Sequence, residues 1–184
     1  MPKALSGSQK TSGSGPAVDA KTLQSLIGDL DSSDGAVRRS ASETLVEIGR
    51  PAVEPLTSVL SKNPNDDARW EAAKALDEIG DPAAAHDMVR ALEDRSFGVR
   101  WLAAEGLIGL GRAGMPPLLE ALLERSSSIW LRQGAHHVLQ VLSKHNLPNP
   151  LAPVLAALED VEPAVEVPHA ALAALDALAK PTAR

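Results

Sequence analysis

The chain has 184 residues, 44% of them hydrophobic, and a formal net charge of −6, which suits one soluble domain. Having no cysteine, it can form no disulfide, thiolate metal site or cysteine nucleophile, and its acidic balance argues against a nucleic-acid partner. No apolar run approaches the ~20 residues of a bilayer span, and the start lacks the apolar segment of a signal peptide. A cytoplasmic protein with no membrane partner is therefore expected.

In chain order, residues 1–18 are rich in Ser and Gly and read as a disordered tail. Gly7 to Thr11 only superficially resembles a phosphate loop, because no glycine stands directly before Lys10 and no apolar strand precedes it. Asp19 can cap a first helix over 19–31, with Leu23, Leu26, Ile27 and Leu30 at helical spacing. Regular units follow at about 34–62, 65–94, 96–125 and 128–159, and a divergent last helix at about 163–179. Arginine recurs at 38, 69, 100 and 132, alanine at 41, 72, 103 and 135, and leucine at 45, 76, 107 and 139. Repetition at this period predicts a solenoid.

Each unit opens with a capping residue, at Asp34, Asn65, Ser96 and Ser128. Gly49, Gly80 and Gly111 supply left-handed stops to three of the first helices. Pro51 and Pro82 start second helices. Pro163 and Pro168 are expected to bracket an irregular entry into the last helix.

With one Phe, no Tyr and three Trp, the core must be built from Leu, Ala, Val and Ile. At 100° per residue, Trp70 points about 175° away from the core face of its helix. Trp101 repeats that position, and Trp130 points about 125° away. Val46 and Ile108 share the outward direction. These five residues form either a partner-binding ridge or lateral packing covered by neighbouring repeats. Arg38, Arg69, Arg100 and Arg132 point sideways and are expected to bond carbonyls or acids such as Asp31, Asp67 and Asp94 between units.

The Val-Arg-x-x-Ala-x-x-x-Leu-x-x-Ile-Gly run at Val37–Gly49, its counterpart at Ala68–Gly80, and Gly80-Asp81-Pro82 resemble HEAT repeats. The resemblance is to the short HEAT-like class named after phycobilisome (bilin) lyases. It covers roughly residues 29–142, more loosely at both ends, and implies an all-α fold, a right-handed α-solenoid of about four to five helical hairpins; the repeat domain as a whole is expected over 19–180. Proteins of this class serve as interaction scaffolds, assembly factors and, in a few cases, enzymes. HEAT-repeat deoxyhypusine hydroxylases place His-Glu pairs after the repeat arginine, where this chain has Arg39, Trp70, Trp101 and Gln133. HEAT-like DNA glycosylases line a face with basic and aromatic residues, whereas the second helices here offer Glu54, Asp87, Arg90 and Glu120.

Among His86, His136, His137, His145 and His169, adjacent His136 and His137 diverge by about 100° on a helix, and neither has a carboxylate or third histidine at i+4. No metal, cofactor or catalytic residue is expected. The expectation is a non-catalytic protein-interaction scaffold or assembly subunit, binding a protein partner or a second copy through the outer face of the first helices. The alternative is a bilin-lyase-like component handling a chromophore or cofactor.

Overall fold

A computed structural model describes residues 19–144 and 149–180, and every regular element among them is helical. The tail, the Gly7–Thr11 stretch and His145 lie outside the described residues.

Asp19 caps α1 (Ala20–Asp29) by accepting from the Lys21 and Thr22 N–H groups at 2.9 Å each. Four first helices follow: α2 (Gly35–Ile48), α4 (Asp66–Ile79), α6 (Phe97–Leu110) and α8 (Ile129–Ser143). They alternate with second helices α3 (Val53–Lys62), α5 (Ala85–Ala91), α7 (Met115–Glu124) and α9 (Ala152–Leu158), and α10 (Pro163–Ala179) closes the chain. Neighbouring first helices pack side by side in one layer, and α3, α5 and α7 pack in a second. Between the layers lie the buried leucines 45, 76, 107 and 139, facing Leu56, Met88 and Leu118. This is an α-solenoid: each hairpin buries its apolar stripe only by stacking on the next.

Three of the four capping residues accept from their own first turn: Asp34 from Ala36 at 2.8 Å, Asn65 from Asp67 at 3.0 Å, and Ser128 from Leu131 at 3.4 Å. Ser96 departs from the expectation. Its backbone is extended as a cap requires, but its hydroxyl makes no cap bond. That turn is held from outside the helix, where the Asp94 carboxylate accepts the Ser96 N–H at 2.7 Å.

The glycine stops also divide. All three have positive φ, but only Gly80 (φ 64°, ψ 27°) is left-handed α. Gly49 (φ 72°, ψ −133°) and Gly111 (φ 54°, ψ −122°) occupy a region that side chains with a Cβ avoid. After Gly80, Asp81 caps the next turn by accepting from Ala83 at 2.9 Å. After Gly49 no residue is spent on a cap, and the chain passes straight into a 3₁₀ turn with Ala52 N–H donating to the Gly49 carbonyl at 2.9 Å. Pro51 and Pro82 sit in these 3₁₀ turns, so the α-helices proper begin at Val53 and Ala85.

The last helix is continuous, contrary to the broken entry expected from its prolines. Pro163 is its first residue and Pro168 lies inside it. Proline at 168 leaves the Ala164 carbonyl without its helical donor, and the Ser126 hydroxyl donates to that carbonyl at 2.9 Å. The same bond docks α10 beside the α7–α8 turn. There α10 packs along both α7 and α9, while α9 lies on α8 and α10 without comparable packing on α7.

Candidate functional site

The four repeat arginines share one bond. Each donates Nη1 to the carbonyl six residues back: Arg38 to Ser32 at 2.8 Å, Arg69 to Asn63 at 2.9 Å, Arg100 to Asp94 at 2.7 Å, and Arg132 to Ser126. This pins the turn ahead of each first helix to the helix itself. The other edge of the guanidinium is treated differently in each unit.

Arg38 pairs through Nη2 with Asp67 of the next unit at 2.7 Å. Arg69, 4% exposed, grips Asp94 with both Nε and Nη2, at 2.7 and 2.9 Å. Burial alone would raise the Asp94 carboxyl, but the bonds from Arg69 and the Ser96 N–H outweigh it and hold the group below its ordinary range. The hydrogen bond to Asp94 likewise raises Arg69. Asp31 accepts from the Asn63 side-chain amide at 2.8 Å rather than from an arginine.

Arg100 meets no carboxylate among the described residues. Its guanidinium lies 4.6 Å from the centre of the Trp130 ring and 5.7 Å from that of Phe97, an arrangement in which the ring faces attract the cation. The substitution that causes this is visible in register. Two residues before the following arginine stand Asp67, Gly98 and Trp130 in successive units, so the place of the carboxylate that pairs with Arg38 is taken by an indole at Arg100.

The result is a groove between α6 and α8 of about 240 Å³. Buried Leu92 and Ala104 form its base, and Phe97, Trp101 and Trp130 wall it, with Arg100, Gln133 and His137 as its polar members. Phe97 is 70% exposed, Trp101 48% and Trp130 45%. The Trp101 and His137 rings lie 5.0 Å apart, and His137 Nε2 is 3.2 Å from Glu105 Oε1. Glu105 also bears on Asp77 in α4, whose carboxyl is raised by burial first and by Glu105 and Glu78 after it.

The five residues of the expected ridge do not form one surface. Trp101 and Trp130 meet at the groove. Trp70, 38% exposed, stands at the previous junction. Its ring edge lies 3.0 Å from where a Cβ on Gly98 would be, so only glycine admits it that closely. Val46 and Ile108 are half-buried and packed against the core, because the adjacent first helices approach closely enough to cover the flanks of α2 and α6. Phe97, the most exposed aromatic of the groove, is absent from the ridge read from the sequence. It lies three and four residues before Arg100 and Trp101, and that spacing places all three on one side of α6.

The remaining histidines pair singly. His86 is 3.7 Å from Glu120 and His136 is 2.9 Å from Glu159, while His169 contacts the Val165 carbonyl at 3.2 Å. No cluster of three or more His, Cys, Asp or Glu able to hold a metal occurs among the described residues. No helix among them is long and apolar enough to cross a membrane.

Comparison with known proteins places this geometry in context. A phycobilisome maturation protein of Synechococcus elongatus is 31% identical over 117 residues, covering 64% of this chain and 55% of that protein. An uncharacterized phycocyanin operon protein Z of Pseudanabaena tenuis is 39% identical over 61 residues, covering 33% of this chain and 30% of that one. The chain thus spans about half the length, or less, of these curated relatives. Among solved structures, an engineered protein aligns at TM-score 0.46 and 21% identity over 85% of this chain and 78% of its own. A designed armadillo repeat protein in complex with a (KR)4 peptide aligns at TM-score 0.40 and 21% identity, over 83% and 80%. The family model for HEAT repeats matches residues 20–108 and 53–140, more than half of the chain. The protein belongs to the HEAT repeat family.

Proposed function

We propose that this protein is a non-catalytic interaction scaffold or assembly subunit, binding a protein partner through the outer face of its first helices at the α6–α8 groove. The observation that carries the reading is the juxtaposition of Phe97, Trp101 and Trp130, three of the four aromatic residues in the chain, around one open apolar groove. Large aromatic rings left in water withhold area that folding could have buried, and such residues dominate the energetics of protein interfaces. The maturation role for which the Synechococcus relative is named supports an assembly task. A chromophore-handling role has less behind it. The groove, at about 240 Å³, is smaller than the roughly 300–1,000 Å³ typical of small-molecule sites. On the side of the second helices, Arg50, Val53, Glu54, Thr57, Asp81 and Ala83 line one open depression and Ile27, Pro55 and Val59 line another beside Lys62 and Asn63, and neither is roofed.

The test compares the parent with a Trp101→Glu/Trp130→Glu variant, each recovered from the native cells and weighed as an intact complex. The variant is expected to keep its fold, to within about 1 kcal/mol in urea, and to lose its partner. A folded variant that still carries the partner overturns the reading.

A further inference from the structure

The groove has a charge preference, and it defines the partner. Among the described residues Arg95 and Arg100 enter no ion pair. Both stand where the chain enters α6. The Nε and Nη2 edge with which Arg69 grips Asp94 makes no hydrogen bond to a described residue at Arg100. The carboxylate closest in sequence, Asp94, is taken up by Arg69, and Glu105 lies at His137, toward the far end of the groove from the start of α6. The first turn of α4 carries Asp66 and Asp67, whereas those of α6 and α8 carry no acidic residue. Their helix-dipole ends add to the positive potential there. In a chain of net charge −6, this is a local electropositive edge beside an apolar groove.

Resting on the groove reading above, we infer that the occupant is an acidic segment of a partner protein, with a bulky apolar side chain beside a carboxylate. The apolar side chain fills the space between Trp101 and Trp130, and the carboxylate meets the open fork of Arg100. An arginine fork suits a carboxylate because two parallel N–H groups match its two oxygens. Sandwiching between Trp130 and Phe97 orients the Arg100 fork beforehand, which reduces the entropy lost on binding.

A library of random peptides displayed on phage is selected against the full chain. The best binder is then synthesised in two forms, as selected and with every Asp and Glu changed to Asn and Gln. The selected peptides are expected to join acidic residues to a bulky apolar one. The amide form should bind at least ~10-fold more weakly, and binding of the acidic form should weaken with salt. Arg100→Gln should bring the two forms to equal affinity, and Trp101→Glu/Trp130→Glu should abolish both. Because the amide peptide leaves the protein untouched, a folding defect in either variant does not blur the result. Peptides that need the tryptophans but bind equally in both forms, or a selection rich in Lys and Arg, overturn the acidic partner and leave the groove. Peptides indifferent to the tryptophans, or no enrichment at all, overturn both readings. Sedimentation showing a dimer of the chain that the tryptophan variant dissolves replaces the acidic partner with a second copy.

Discussion

Arg69 and Arg100 occupy the same register in adjacent units, and each holds its preceding turn through the same Nη1 bond. Beyond that bond they differ completely. At the α4–α6 junction Arg69 is buried and both nitrogens of its fork close on Asp94. At the α6–α8 junction Arg100 lies between two exposed rings and its fork stays open. A repeat scaffold can thus keep one residue at every position and still divide the labour. A saturated fork cements two units, and an open fork with aromatic walls presents a surface. The difference arises not from the arginine but from what stands across from it, Asp94 in one case and Trp130 in the other.

The largest effect should come from breaking what the two junctions share. Leu107 lies in α6, between them, and is fully buried; Leu107→Ala should cost ~2–5 kcal/mol in urea unfolding and loosen both neighbours. Next comes the contrast itself. Arg69→Ala leaves the half-buried Asp94 without its cation and should cost about 3 kcal/mol, while Arg100→Ala, losing a half-exposed stack, should cost about 1 kcal/mol. Equal losses would erase the distinction.

Acid should separate the junctions next. The Asp94 carboxyl is depressed in the fold, so its contribution is full above the unfolded value of about 3.9 and is lost as pH falls through the lower folded value. Parent stability should drop steeply there, and Asp94→Asn, already without the charge, should show a shallower drop in urea titrations across that range. The smallest effect concerns Asp77, whose carboxyl is raised by burial and by Glu105. An ionised Asp77 is a liability at neutral pH, so Asp77→Asn should raise stability slightly, within about 0.5 kcal/mol, and the gain should vanish as acid protonates the parent residue.

Core and layer order were legible because the solenoid repeats them. Leu45, Leu76 and Leu107 recur in register, and nothing but a buried stripe explains leucine at that period. The caps were legible where the donor is local, as at Asp34, and misread at Ser96, where Asp94, itself held by Arg69 from the preceding unit, does the holding. The groove was half legible. Outward geometry found Trp101 and Trp130 but also admitted Val46 and Ile108, since a helical wheel shows direction and not how near the next helix comes. The course of α10 was not legible, because the bond that accommodates Pro168 joins Ser126 to Ala164 across 38 residues.

That last bond changes how the molecule comes apart. In a strictly linear array each unit feels only its neighbours, and unravelling can proceed inward from either end. Here the final helix reaches past α9 to lie on α7, so the C-terminal end is clasped two elements deep. Fraying from that side cannot release α10 without also uncovering α7. Amide exchange should therefore be slower in α10, at the end of the array, than in α9 inside it, and limited proteolysis should find α9 and its flanking turns first. Among the described residues α1 packs chiefly on α2 and α3, its immediate neighbours, and reversible opening should begin at that end.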